Sequence, residues 1–197
     1  MKMSYLSILF MLAAGFSRTT IAADVLFIKE YVDFTVLPPD TVEVSGQYFF
    51  IASDASSITP SLYYQFPSEG PGNYPFSITV VDKRTAHYLN FDPNPQGILF
   101  SFSLTNRDTA VVAITYKQRA IHRTGLYMMQ TTSNWGRSFG ISKYAVRIPI
   151  EFTLSSLSYR YDFVSSTTKE KSYHFSRAPS KIDTDVIFTW DPPAIHK

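Results

Sequence analysis

The sequence contains no cysteine and only four histidines among its 197 residues. Without cysteine, the protein can form neither a disulfide framework nor a thiolate metal site. The histidines are His87, His122, His174 and His196, and no two of them stand at a metal-ligand spacing such as HxH or HExxH. The sequence therefore predicts no metal site and no cofactor.

The acidic residues form no pattern that singles out a catalytic pair. Residues 92–97 (DPNPQG) match the opening of a calcium-binding loop, but the closing ligand would fall on Ser103, inside an alternating strand, so a turn is predicted. Asp183 and Asp185 fall on the same side of a strand, which favours a solvated face. No catalytic residue is predicted, and a non-enzymatic protein is favoured. A small secreted hydrolase stays open as an alternative, because folding can bring two carboxylates together across a cleft.

Residues 1–23 have the pattern of a secretory signal peptide. Lys2 supplies the positive charge, residues 5–16 (YLSILFMLAAGF) supply a short apolar core, and Thr20 to Ala23 supply small residues for cleavage. The apolar run is shorter than the roughly 20 residues that a membrane-spanning helix needs. The pattern predicts export, with no membrane span after cleavage.

Neither sign of charge is in excess once residues 1–23 are set aside. The full chain carries 18 basic and 16 acidic residues, and loss of Lys2 and Arg18 would leave 16 of each. This balance argues against a nucleic-acid partner. Residues 24–110 hold 4 basic and 10 acidic residues, whereas residues 111–197 hold 12 and 6. Either strands from the two halves interleave in one sheet, or the subunit is dipolar and meets a neighbour of opposite charge.

Alternation of apolar and polar residues dominates residues 24–197, and helical periodicity is not sustained anywhere in them. The pattern predicts an all-β protein with one immunoglobulin-like antiparallel β-sandwich domain over residues 24–197. Two hairpins are predicted, one joining residues 146–154 to 157–163 through Ser155 and Ser156, and one joining residues 98–104 to 112–116. Further strands are predicted at residues 26–36, 42–52, 62–66, 76–81, 87–91, 126–131, 173–176 and 186–190.

The first of these strands follows directly after the predicted cleavage site. Its apolar residues are Leu26, Ile28, Val32, Phe34 and Val36, and the alternation is broken only at Glu30. A long alternating strand at a free N-terminus can pair with the open sheet edge of another chain. With its signal peptide, alternating N-terminal extension and single β domain, the chain resembles the subunits of chaperone–usher fimbriae. The resemblance implies assembly with other protein subunits or an assembly chaperone, in a pilus structural subunit or adhesin.

A second candidate surface lies in residues 127–139 (YMMQTTSNWGRSF), where Asn134, Trp135 and Arg137 stand together. An exposed Trp beside Arg and Asn suits a ligand face for a glycan or a protein partner. The alternative is that Trp135 closes one end of the core. Three other roles stay open: a carbohydrate-binding protein, an outer-membrane β-barrel, and a periplasmic assembly chaperone, whose strand–turn–strand pattern residues 100–116 resemble.

Overall fold

Strands make up most of the protein in the computed structural model, which describes residues 25–53, 57–67, 74–105, 108–129, 140–178 and 184–193. The predicted signal peptide lies outside these residues. The strands are β1 (Val25–Leu37), β2 (Thr41–Ala52), β3 (Ser61–Gln65), β4 (Ser77–Asp82), β5 (His87–Tyr88), β6 (Phe91–Asn94), β7 (Gly97–Ser101), β8 (Thr109–Arg119), β9 (Thr124–Tyr127), β10 (Ser142–Pro149), β11 (Thr153–Leu157), β12 (Phe163–Ser166), β13 (Glu170–Arg177) and β14 (Val186–Asp191). A single 3₁₀ turn, Ile121–Arg123, is the helical element among them.

Eight strands form one large sheet in the order β12-β13-β10-β1-β2-β8-β4-β5. Strand β1 lies inside this sheet, antiparallel to β2 along one side and parallel to β10 along the other. All other pairs among the described strands are antiparallel. The β1–β10 pair is therefore a departure from the purely antiparallel arrangement that the sequence predicts.

Two three-stranded sheets, β11-β14-β9 and β3-β7-β6, cover one face of the large sheet. Aromatic rings join the layers: Phe34 of β1 contacts Phe188 of β14 with ring centroids 5.7 Å apart, and Tyr48 of β2 contacts Tyr64 of β3 at 5.6 Å. Such contacts add to the free energy gained by burying the ring surfaces. The predicted all-β sandwich is confirmed, and its core lies between the large sheet and the two small ones.

Both predicted hairpins are wrong in their partners. Ser155 and Ser156 do not form a turn but lie in β11, which pairs with β14, while β10 pairs with β13. Strand β7 pairs with β3 and β6, whereas β8 lies in the large sheet between β2 and β4. Alternation fixes which residues share a face, but it does not choose the neighbouring strand.

The alternation within β1 is also corrected. A bulge between Phe27 and Lys29 shifts the register of β1. Leu26 and Ile28 are therefore only half-buried, whereas Val32, Phe34 and Val36, beyond the bulge, are buried. The shift turns Glu30 into the core. A bulge inserts one residue and thereby exchanges the two faces of the strand beyond it.

Strands from the acidic and basic halves of the chain are only partly interleaved in the large sheet. Strand β8 lies between β2 and β4, but β10, β13 and β12 lie together at one edge. Where the halves meet, Glu43 of β2 pairs with Lys117 of β8 at 3.2 Å, and Asp33 of β1 pairs with Arg147 of β10 at 3.1 Å.

Candidate functional site

A carboxylate lies fully buried in the middle of the sandwich. Both oxygens of Glu30 accept hydrogen bonds, from the hydroxyl of Tyr127 at 2.7 Å and from that of Tyr144 at 2.6 Å. The amide of Glu30 donates to the hydroxyl of Ser142 at 3.2 Å. Strands β1, β9 and β10 therefore meet at this one side chain, whose burial is tolerated because its oxygens are satisfied.

The hydrogen bonds continue away from Glu30 through tyrosine hydroxyls. The hydroxyl of Tyr48 lies 3.2 Å from that of Tyr127 and 2.9 Å from that of Tyr64. Gly46 leaves the space for this arrangement, because a Cβ at that position would overlap the hydroxyl of Tyr48. The buried hydroxyl of Tyr116 extends this group, since its ring lies beside that of Tyr64 with centroids 6.0 Å apart.

Burial raises the pKa of each of these tyrosines well above the ordinary value of a phenol. The negative charge of Glu30 is the second cause for Tyr48, Tyr127 and Tyr144. The Glu30 cluster, made of Glu30, Tyr48, Tyr64, Tyr127 and Tyr144, is thus a set of protonated phenols around one carboxyl group. It has no contact with solvent, which suits a structural role and not substrate binding.

The β12 edge of the large sheet, formed by residues 163–166, is different, because it exposes apolar side chains. Strand β12 pairs with β13 on one side and, among the described residues, with nothing on the other. Phe163 is 59% exposed and Val164 43%, and every residue from Arg160 to Lys169 is exposed. An edge strand with apolar side chains and open backbone groups can accept a further strand.

Local contacts hold this edge in place. The ring of Phe163 stacks on that of His174 with centroids 4.4 Å apart, and the ring of Tyr161 contacts that of Tyr173 at 5.4 Å. The hydroxyl of Ser165 lies 2.9 Å from Nε2 of His174. These contacts order the β12 edge in the absence of a partner, so a binding segment would not have to order it.

A third feature is an open pocket of about 800 Å³ at one end of the sandwich. Its lining comes from the turn after β1, from the end of β8 with the 3₁₀ turn, from β11 and from β14. We call it the end pocket, and the residues lining it are Pro39, Asp40, Arg119, Ala120, Ile121, His122, Arg123, Ser155, Thr189, Trp190 and Asp191.

Two adjacent residues of the end pocket have left-handed backbone conformations. His122 has φ 53° and ψ 31°, and Arg123 has φ 56°. For residues other than glycine this conformation costs of the order of 1 kcal/mol or more each, and it persists where surrounding contacts hold it. The amide of Ala120 donates to the carbonyl of Asp40 at 2.6 Å, which fixes the start of this turn.

The residues predicted from the sequence are only partly brought together. Asn134, Trp135 and Arg137 lie outside the described residues, as does His196. The predicted assembly strand is β1, which pairs on both sides within its own chain. Asp185 has a structural role, since its Oδ1 accepts a hydrogen bond from the amide of Met129 at 3.0 Å.

Residues 136–140 read GRSFG, so the expectation that the chain has no GxSxG spacing is wrong. In hydrolases that spacing marks a nucleophile only where it forms a turn from a strand into a helix. Here Gly140 is followed by strand β10, and residues 136–139 lie outside the described part of the chain. The helix that a nucleophile elbow requires is therefore replaced by a strand.

No group of three or more His, Cys, Asp or Glu side chains in the described segments could hold a metal ion. Those same segments include no helix long and apolar enough to cross a membrane.

Comparisons with known proteins give a fold and no family. No protein-family model matches the chain, and no curated protein matches it significantly. Among solved structures, an M1 zinc metallopeptidase from Deinococcus radiodurans matches with a TM-score of 0.53 at 9% identity. The match covers 86% of this chain and 43% of the metallopeptidase chain. A putative nutrient binding protein from Legionella pneumophila has a TM-score of 0.58 at 10% identity, covering 87% of this chain and 68% of its own. The chain thus spans less than half the length of the metallopeptidase, and both likenesses concern the β fold alone.

Proposed function

We propose that this protein is an exported, non-enzymatic binding protein of the bacterial periplasm or surface that assembles with a protein partner by β-strand addition. A fimbrial or other surface subunit, or an adhesin, is the role that we favour within this class. The partner contributes an extended segment that pairs with β12. The β12 edge, with its two exposed apolar residues and its unpaired side, is the observation that carries the proposal.

The assignment of strand addition to β1 is replaced, because β1 already has neighbours on both sides. A strand in that position is available to another chain only if the large sheet opens. Strand β12 needs no such opening, since its outer side faces no described strand. The chain therefore accepts a strand in this proposal and does not donate one.

Charge favours a segment with acidic residues on either side of an apolar centre. Arg160 precedes the edge and Lys169 follows it, both are exposed, and neither forms an ion pair among the described residues. Opposite charges across such a contact increase the association rate and fix the register of the pairing.

The test begins in the cells that produce the protein. A photo-crosslinking amino acid at Ser166, on the exposed edge, should yield a crosslink to one extended segment of an exported protein or of a second copy. That segment, made as a peptide, should bind the purified protein and protect residues 163–166 from hydrogen exchange.

The substitutions Phe163→Lys and Val164→Lys should each lower the affinity for the peptide by at least about tenfold, because a charged edge disfavours strand pairing. Phe76→Lys is the matched control, since Phe76 is exposed to a similar degree (61%) and lies immediately before β4, away from β12. The proposal is wrong if no extended segment is crosslinked, or if the peptide binds the two edge variants as it binds the parent.

A further inference from the structure

The end pocket carries charged side chains of both signs that do not pair with each other. Arg119, His122 and Arg123 lie on the β8 side, and Asp40 and Asp191 lie on the turn after β1 and on β14. Five ion pairs are found among the described residues, and none involves a residue of this pocket. Opposite charges that line one cavity without neutralising each other leave both signs available to a ligand.

The acidic residues of the pocket are not equivalent. Asp191 accepts a hydrogen bond on Oδ2 from the hydroxyl of Ser155, so one of its oxygens is occupied. The side chain of Asp40 has no hydrogen bond or ion pair among the described residues. Asp40 is therefore the acidic group best placed to receive a cation from outside.

The basic residues are held by the backbone around them. Arg119 ends β8, and Ala120 after it is buried and bonded to the carbonyl of Asp40. Arg123 follows His122 in the left-handed turn, and Arg119 precedes that turn at the end of β8. Guanidinium groups bind carboxylates with two parallel hydrogen bonds. The two arginines therefore suit a ligand carboxylate better than they suit a neutral ligand group.

We propose that the end pocket binds a small zwitterion of the amino-acid or short-peptide class. The ligand carboxylate lies against Arg119 and Arg123, and its ammonium group lies against Asp40. The exposed side chain of Ile121 and the buried ring of Trp190 supply the apolar part of the wall. The volume of about 800 Å³ is within the usual range for small-molecule sites.

This site is distinct from the β12 edge, and either proposal can fail without the other. The test uses the purified exported form and trialanine with free ends, titrated by calorimetry up to about 10 mM, well above the millimolar limit of weak binding. Saturable binding is expected. Acetylation of the amino end and amidation of the carboxyl end should each weaken it by at least about tenfold, the factor that about 1.4 kcal/mol of lost contact produces.

Variants distinguish the two ends of the ligand. Arg119→Gln and Arg123→Gln should lower the affinity for free trialanine and abolish the effect of amidating its carboxyl end. Asp40→Asn should abolish the effect of acetylating its amino end. Lys83→Gln, in the exposed turn between β4 and β5, is the matched control and should bind like the parent. Absence of saturable binding, binding insensitive to both caps, or an Arg123→Gln variant that binds normally would overturn the proposal.

Discussion

At the scale of the residue, Glu30 joins three strands through its hydrogen bonds. It is a fully buried acid whose two oxygens are held by two phenols from two different strands. Removing one partner from such a group leaves the others buried without a hydrogen bond, which costs far more than the intact contact contributes.

We expect Glu30→Ala to lower the free energy of unfolding by at least about 3 kcal/mol, because Tyr127 and Tyr144 lose their acceptor and a cavity remains. Glu30→Gln keeps the shape and should cost about 1–2 kcal/mol. Urea unfolding measures both. Glu43→Ala is the control, since the half-exposed pair of Glu43 with Lys117 should contribute no more than about 1 kcal/mol. Equal losses for Glu30→Ala and Glu43→Ala would show that the Glu30 cluster is not stabilising.

The sequence marks Glu30 as an exception in the alternation of β1, but it does not predict that Glu30 is buried. Glu30 is the one polar residue on the apolar phase of β1, and the bulge that turns it inward lies before it, between Phe27 and Lys29. Whether the acid beyond the bulge faces the core or the solvent depends on Tyr127 and Tyr144, which are 97 and 114 residues away along the chain. Contacts over that separation leave no local pattern in the sequence.

At the scale of the element, β1 is the central strand that joins the two parts of the large sheet. On one side of it lie β10, β13 and β12, and on the other β2, β8, β4 and β5. Strand positions such as those of β1, β2 and β14 follow from alternation, because a half-buried strand needs one apolar face. Their order in the sheet does not, which is why both predicted hairpins had the wrong partners.

Deleting residues 26–36 should therefore unfold the protein and not leave a folded monomer with an open groove. The deletion removes Phe34 and Glu30 from the core and leaves the inner sides of β2 and β10 without a partner. Circular dichroism and hydrogen exchange of the purified variant measure the loss. A deletion variant that retained a cooperative unfolding transition would show that β1 is dispensable and would restore the possibility that it is exchanged between subunits.

At the scale of the whole molecule, the buried phenols make the fold sensitive to alkali. The five core tyrosines have raised pKa values in the folded state, so they keep their protons at a pH where the unfolded chain releases them. The unfolded state then binds fewer protons than the native state, and the free energy of unfolding falls as the pH rises. Their stabilisation is complete below about pH 10 and is lost above it.

Each tyrosine should contribute a slope of about 1.4 kcal/mol per pH unit above about pH 10. Urea unfolding at a series of alkaline pH values measures the slope, and phenolate absorbance measures ionisation. Tyr116→Phe should reduce the slope by one tyrosine, because its buried phenol is one of the five whose pKa is raised by burial. Ionisation of the core tyrosines while the protein is still folded would contradict the expected pKa values.

The parallel pairing of β1 with β10 also sets the order in which the molecule can be completed. Tyr31 lies opposite Lys143, so the earliest described strand waits for more than a hundred further residues before its second side is paired. During synthesis the hairpin of β1 and β2 can form early, but the large sheet stays in two parts until β10 is made. A chain with this topology cannot close its core until its second half is available, so the inner side of β1 stays unpaired until then.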